Sequence, residues 1–127
     1  MAVINQNLNT TSILKQETLH AIADILGNGY KCYVNNSTQE VLTAENVSLE
    51  DQKSGDYTEY VPLEGPVMFG FMQDYIQNVD DFEKQSELLE AISFEHPFKN
   101  FKTRIYSTGL ADEWIAYRTE QIAKEIA

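Results

Sequence analysis

The chain reads as an α+β protein with an N-terminal helix, a small antiparallel β-hairpin or three-stranded sheet, and a C-terminal bundle of four helices. Three observations predict this. Apolar residues recur at helical spacing over residues 12–29, switch to alternation over 30–43, and return to helical spacing from residue 66 onward. With 127 residues, 43% of them apolar and 23% charged, the chain has material for one core but not for two. Residues 1–127 are therefore read as a single domain, with 1–11 as a loose polar lead-in.

Ser12 is placed to cap a first helix along which Leu14, Thr18, Ile22, Ile25 and Leu26 repeat, ending at Gly27 or Gly29. Tyr30, Cys32 and Val34 then alternate with Lys31 and Tyr33. The turn Asn35-Asn36-Ser37-Thr38 and the returning run Glu40-Val41-Leu42-Thr43 complete a hairpin. Residues 45–54 lack periodicity and read as an acidic loop or one frayed turn. Residues 56–62 have β composition, with Pro62 at an end or edge.

Pro66 opens a helix whose apolar positions, from Met68 to Val79, spread over so wide an arc that it reads as the central helix. Asp80 and Glu83 form a capping-box pattern. Phe82, Gln85, Leu88, Leu89 and Ile92 line one face of the helix that follows. Pro97 and Gly109 suit the start and stop of the next, with Phe98, Phe101 and Ile105 on one face. A last helix carries Trp114, Ile115, Ile122 and Ile126 on one arc, with Arg118 in the middle of it and in need of a partner.

The formal charge of −11 is unevenly placed. Residues 38–95 hold fourteen acids against Lys53 and Lys84, a net of −12, which leaves the remainder near +1. Such a balance disfavours generic binding to nucleic acid or anionic membrane, since phosphate contacts need a basic footprint. Cys32 is the only cysteine, so no internal disulfide or multi-cysteine zinc site is expected. The start MAVINQNLNTT reads as neither signal peptide nor membrane helix, and a cytoplasmic location is expected.

The search for chemistry finds little. Ser12-Ile13-Leu14-Lys15 fits S-x-x-K without its companion motifs, and no nucleophile elbow, phosphate loop or dinucleotide fingerprint is present. His20 and His96 are the only histidines and read as surface or boundary residues, so neither a metal nor a cofactor is expected. Four of the nine basic residues, Lys99, Lys102, Arg104 and Arg118, fall within residues 96–118 together with Trp114 and Tyr117. These six are the candidate binding residues, for an anion or an acidic peptide, unless the chain's own acids take up the cations.

The segments assembled here resemble the uncharacterised protein family UPF0158. The resemblance lies in the hairpin over 33–41, the helix over 68–79, Leu88-Leu89-Glu90-Ala91-Ile92, His96-Pro97-Phe98-Lys99-Asn100-Phe101-Lys102, and Trp114-Ile115-Ala116-Tyr117-Arg118. Gln39 stands where that family usually has glycine, and Asn35 where it often has aspartate. The resemblance implies a bacterial, cytoplasmic, mostly helical protein and carries no activity. The expected function is a non-enzymatic interaction or regulatory module with another protein as partner, homo-oligomerisation being open. The alternatives are a small-molecule enzyme with a pocket between the hairpin and the helix over 67–79, where Tyr33, Tyr75 and Arg118 converge, and nucleic-acid or anion binding through residues 99–104 and 118.

Overall fold

The computed structural model describes residues 13–127, and the expected loose lead-in and the Ser12 cap lie outside the described residues. The chain groups into two compact units, one of residues up to Pro62 together with Ile122–Ala127, the other Leu63–Gln121.

The first unit is built on a three-stranded antiparallel sheet of β1 (Cys32–Asn35), β2 (Val41–Thr43) and β3 (Tyr57–Tyr60), with β1 in the middle. Tyr33 lies opposite Leu42 on one side and Glu59 on the other. Helix α1 (Gln16–Gly27) packs against β1 and β2, burying Leu19, Ile22, Ala23 and Leu26. Strict alternation would leave Tyr33 in solvent, but Cys32, Tyr33 and Val34 are all buried. The reason is a short helix where an acidic loop is expected. Ser48 accepts a hydrogen bond from the Asp51 N–H and so starts α2 (Leu49–Lys53), which packs against β3. A middle strand covered on both faces loses its polar side. Burial pushes the Cys32 thiol up to about 11, which suits a small apolar residue and not a nucleophile.

Helix α1 starts at Gln16, two residues after Leu14, and its N-cap Lys15 supplies no side-chain cap. Gln39 takes that role from the hairpin. Its Oε1 accepts from the Lys15 N–H at 3.0 Å and the Thr18 hydroxyl at 3.1 Å, while its Nε2 donates to the Ile13 carbonyl. Gln39 does this from a φ of +64°, a left-handed conformation where glycine is at ease and other residues are strained. The Asn35 carboxamide holds the same turn by accepting from the N–H groups of Ser37 and Thr38.

The second unit holds α3 (Gly65–Gln77), α4 (Phe82–Ile92), α5 (Pro97–Ser107) and most of α6 (Ala111–Ile126). All four helices contribute to its core of Met72, Tyr75, Ile76, Val79, Leu88, Phe101, Ile105 and Trp114. Trp114 sits edge-on to Phe101 at 4.9 Å and to Tyr75 at 5.4 Å between centroids. The connections are fastened by side chains. Gln85 Nε2 donates to the Ile76 carbonyl at the end of α3, and Asn100 Nδ2 spans the α4–α5 turn to the carbonyls of Ala91 and Glu95. Helix α5 stops as expected, because Gly109 adopts φ +78° and Leu110 N–H returns to the Ile105 carbonyl.

Three expectations for this unit are corrected. Asp81, not Asp80, caps α4, accepting from the Lys84 N–H. That shift leaves Phe82 in the first turn and 77% exposed, and Leu89 is also largely in solvent, because the buried face centres on Leu88 and Ala91. Phe98 is 46% exposed, its ring edge-on to Phe69, while Phe101 and Ile105 alone fill the core from α5.

Trp114→Ala should cost about 3–5 kcal/mol in urea unfolding, as for a buried aromatic that leaves a cavity; an unchanged midpoint would remove the ring from the core. Gln39→Gly relieves strain of about 1–2 kcal/mol while losing a cap of comparable size, so it should sit near wild type. Gln39→Ala, which loses the cap and keeps the strain, should be clearly less stable than either.

Candidate functional site on helix α5

Helix α5 presents three faces, set by its 3.6-residue repeat. Phe101 and Ile105 point into the core. About a quarter-turn away, Arg104 reaches back to α4, 3.8 Å from Glu87 and 3.5 Å from Glu90, and Asn100 lies on the same side. The remaining arc, in order around the helix, carries Phe98, Lys102, Tyr106 and Lys99, all exposed. Among the described residues Lys99 and Lys102 make no salt bridge, so their ammonium groups are left to solvent. An arc of two aromatics and two cations is thus open in a unit whose other surfaces are mostly acidic.

The structure divides the six candidate residues. Lys99 and Lys102 share the open face. Arg104 leaves it, because α4 sets two carboxylates beside its guanidinium; the pairs are partly exposed and are worth little in stability, but they hold the charge away from the lysines. Trp114 is in the core and Tyr117 is half-buried, tilted 5.5 Å from Tyr75. Arg118 is half-buried on α6.

Tyr75 and Tyr117 both lie against the Trp114 ring. Tyr75 donates its hydroxyl to Glu113 Oε1 at 2.7 Å, and burial, aided by that carboxylate, raises its pKa far above the ordinary value. Burial, and then Asp74, also raises that of Tyr117. A phenol held so firmly in its neutral form is a hydrogen-bond donor and not a base at neutral pH.

The first unit contains a network that alternation alone does not reveal. The Tyr33 hydroxyl donates to Glu59 Oε2 at 2.7 Å and lies 3.2 Å from Gln52 Oε1, and Lys31 Nζ is 3.3 Å from the same carboxylate oxygen. Gln52 is oriented by donating Nε2 to the carbonyls of Ala44 and Val47. The signal was present in the strand register that puts Tyr33 beside Glu59, but reading it required knowing that β3 pairs with β1. The Tyr33 hydroxyl, and then Lys31, hold the Glu59 carboxyl below its ordinary range, while Glu59 raises the pKa of both partners. The network is saturated by its own members and serves to seat Tyr33.

Fold and site together define a small α+β protein in which Tyr33, Tyr75 and Trp114 are absorbed by packing and the open polar chemistry lies on a helix surface. The chain belongs to the uncharacterised protein family UPF0158, whose model matches residues 19–127. No curated protein and no solved structure matches it. No helix among the described residues is long and apolar enough to cross a membrane.

Because the folded-state pKa of Glu59 is depressed, its contribution to stability is complete above about pH 4.5 and is lost as the pH falls through the lower folded value. Glu59→Gln should therefore flatten the acid limb of a stability-versus-pH curve below that point. An acid limb identical to wild type would show that the carboxylate is not coupled to folding.

Proposed function

We propose that this protein is a non-enzymatic interaction module that binds an acidic segment of another protein through the open face of α5. One observation carries the reading. Lys99, Lys102, Phe98 and Tyr106 form a continuous exposed arc, and the cation closest in sequence, Arg104, is drawn off to Glu87 and Glu90. Two lysines on a helix give a charge to steer by, and two exposed rings give area to bury, the combination that anchors protein interfaces. A nucleic-acid ligand is less well served, since two lysines neutralise little of a polyanion and the surrounding charge of −11 opposes its approach. The cytoplasm is the compartment this reading assumes.

The test is cross-linking from within the face. A photoreactive phenylalanine analogue at Tyr106 should capture a defined partner through a segment rich in Asp and Glu. Lys99→Glu with Lys102→Glu should reduce capture about tenfold, whereas Lys53→Glu should leave it intact. Capture insensitive to the α5 charges, or through a segment without acids, would refute the reading.

A further inference from the structure

The solvent side of α4 is a second surface, opposite in character to that of α5. The buried face of α4 runs through Leu88 and Ala91, and Arg104 occupies the side of Glu87 and Glu90. On the remaining arc Phe82, Ser86 and Leu89 recur at i, i+4 and i+7, so the two apolar residues stand about 10 Å apart along the axis with only a serine between them. Phe82 is 77% and Leu89 46% exposed. At the N-terminal end of the stripe stand Asp80 and Asp81, with Glu83 beside it in line with Glu87 and Glu90, all three exposed. The exposed Phe94 and Glu95 follow the helix at its other end. Lys84, the only cation of α4, falls on the far side of the wheel, so nothing on the stripe offsets its acids.

We infer that this stripe docks a basic amphipathic helix of a partner protein, whose apolar residues cover Phe82 and Leu89 while its lysines or arginines meet Asp80, Asp81 and Glu83. As where amphipathic helices are recognised elsewhere, apolar anchors would supply affinity and flanking charges orientation. The charges also select against other occupants. A second copy docking α4 antiparallel on α4 would bring Glu83 towards the partner copy's Glu90, and nucleic acid or an anionic membrane would be repelled outright. This surface is independent of the one on α5.

The probe is a synthetic amphipathic peptide of about 18 residues, long enough for five turns, made of leucine and lysine, with a leucine and glutamate version as its counterpart. Followed by fluorescence anisotropy, the lysine peptide should bind the full chain saturably and one to one, and the glutamate peptide should not bind. Phe82→Asp with Leu89→Asp should weaken binding by about tenfold or more. Ser86→Arg, which leaves both apolar residues in place, should weaken it too and keeps the test valid if the double variant unfolds. Asp80→Lys with Glu83→Lys should weaken binding about tenfold, whereas Glu50→Lys with Asp51→Lys, which removes the same number of acids from α2, should leave affinity within about twofold. Loss in the α2 control equal to that of Asp80→Lys/Glu83→Lys would reduce the effect to bulk charge and overturn the inference. So would binding that ignores the α4 substitutions, an absence of saturable binding, or a sedimentation profile showing that the stripe is closed by self-association.

Discussion

The edge-on contact of Trp114 with Phe101 organises the helical unit. It joins α6 to α5 through two rings at 4.9 Å, and Tyr75 of α3 lies edge-on to the same indole. Such geometries add about 0.5–1.5 kcal/mol per pair beyond simple burial, but their larger effect is directional. With Phe101 and Ile105 committed inward, the helical repeat forces Arg104 towards α4 and turns Lys99, Lys102 and Tyr106 outward. The character of the surface follows from which residues the core consumes.

The partition of charge is the second consequence. Fourteen acids on residues 38–95 would repel one another if left unmatched, and only a few cations are available to them. Arg104 and Lys31 are spent on α4 and on Glu59, one in each compact unit. What remains is a cationic arc on α5, tied to the fold through Phe98 against Phe69, and an acidic, apolar arc on α4, tied to it through the Asp81 cap. Polar groups that do support the fold are local and short-range, as in the Gln39 cap of α1 and the Asn100 clasp of the α4–α5 turn.

Much of this was legible in the sequence where a residue's role is decided by its own neighbours. Pro97 and Gly109 bracket α5, Phe101, Ile105 and Trp114 fall inside by spacing, and the alternation near residue 32 announces a hairpin. Roles decided across segments were not legible. Phe82 and Phe98 have the spacing of core residues and are nevertheless exposed, because periodicity identifies a face but not how far a neighbouring helix extends over it. Tyr33 reads as a solvent position until α2 is known to cover that side of the sheet. Arg104 belongs by sequence to a basic group, and only the placement of α4 removes it. Gln39 is the clearest case, since no local rule predicts that a hairpin residue in a left-handed conformation will cap a helix more than twenty positions earlier.

On the function we propose, α5 keeps Phe101 and Ile105 for the fold and its lysine face for a partner. Acetylation footprinting of every lysine, in the purified protein and in fresh extract of the source cell, tests it most directly. Lys99 and Lys102 should react freely in isolation and become protected in extract, while Lys53 and Lys84 should change little. Protection of Lys99 and Lys102 already in the isolated chain, or no protection of them in extract, would contradict it.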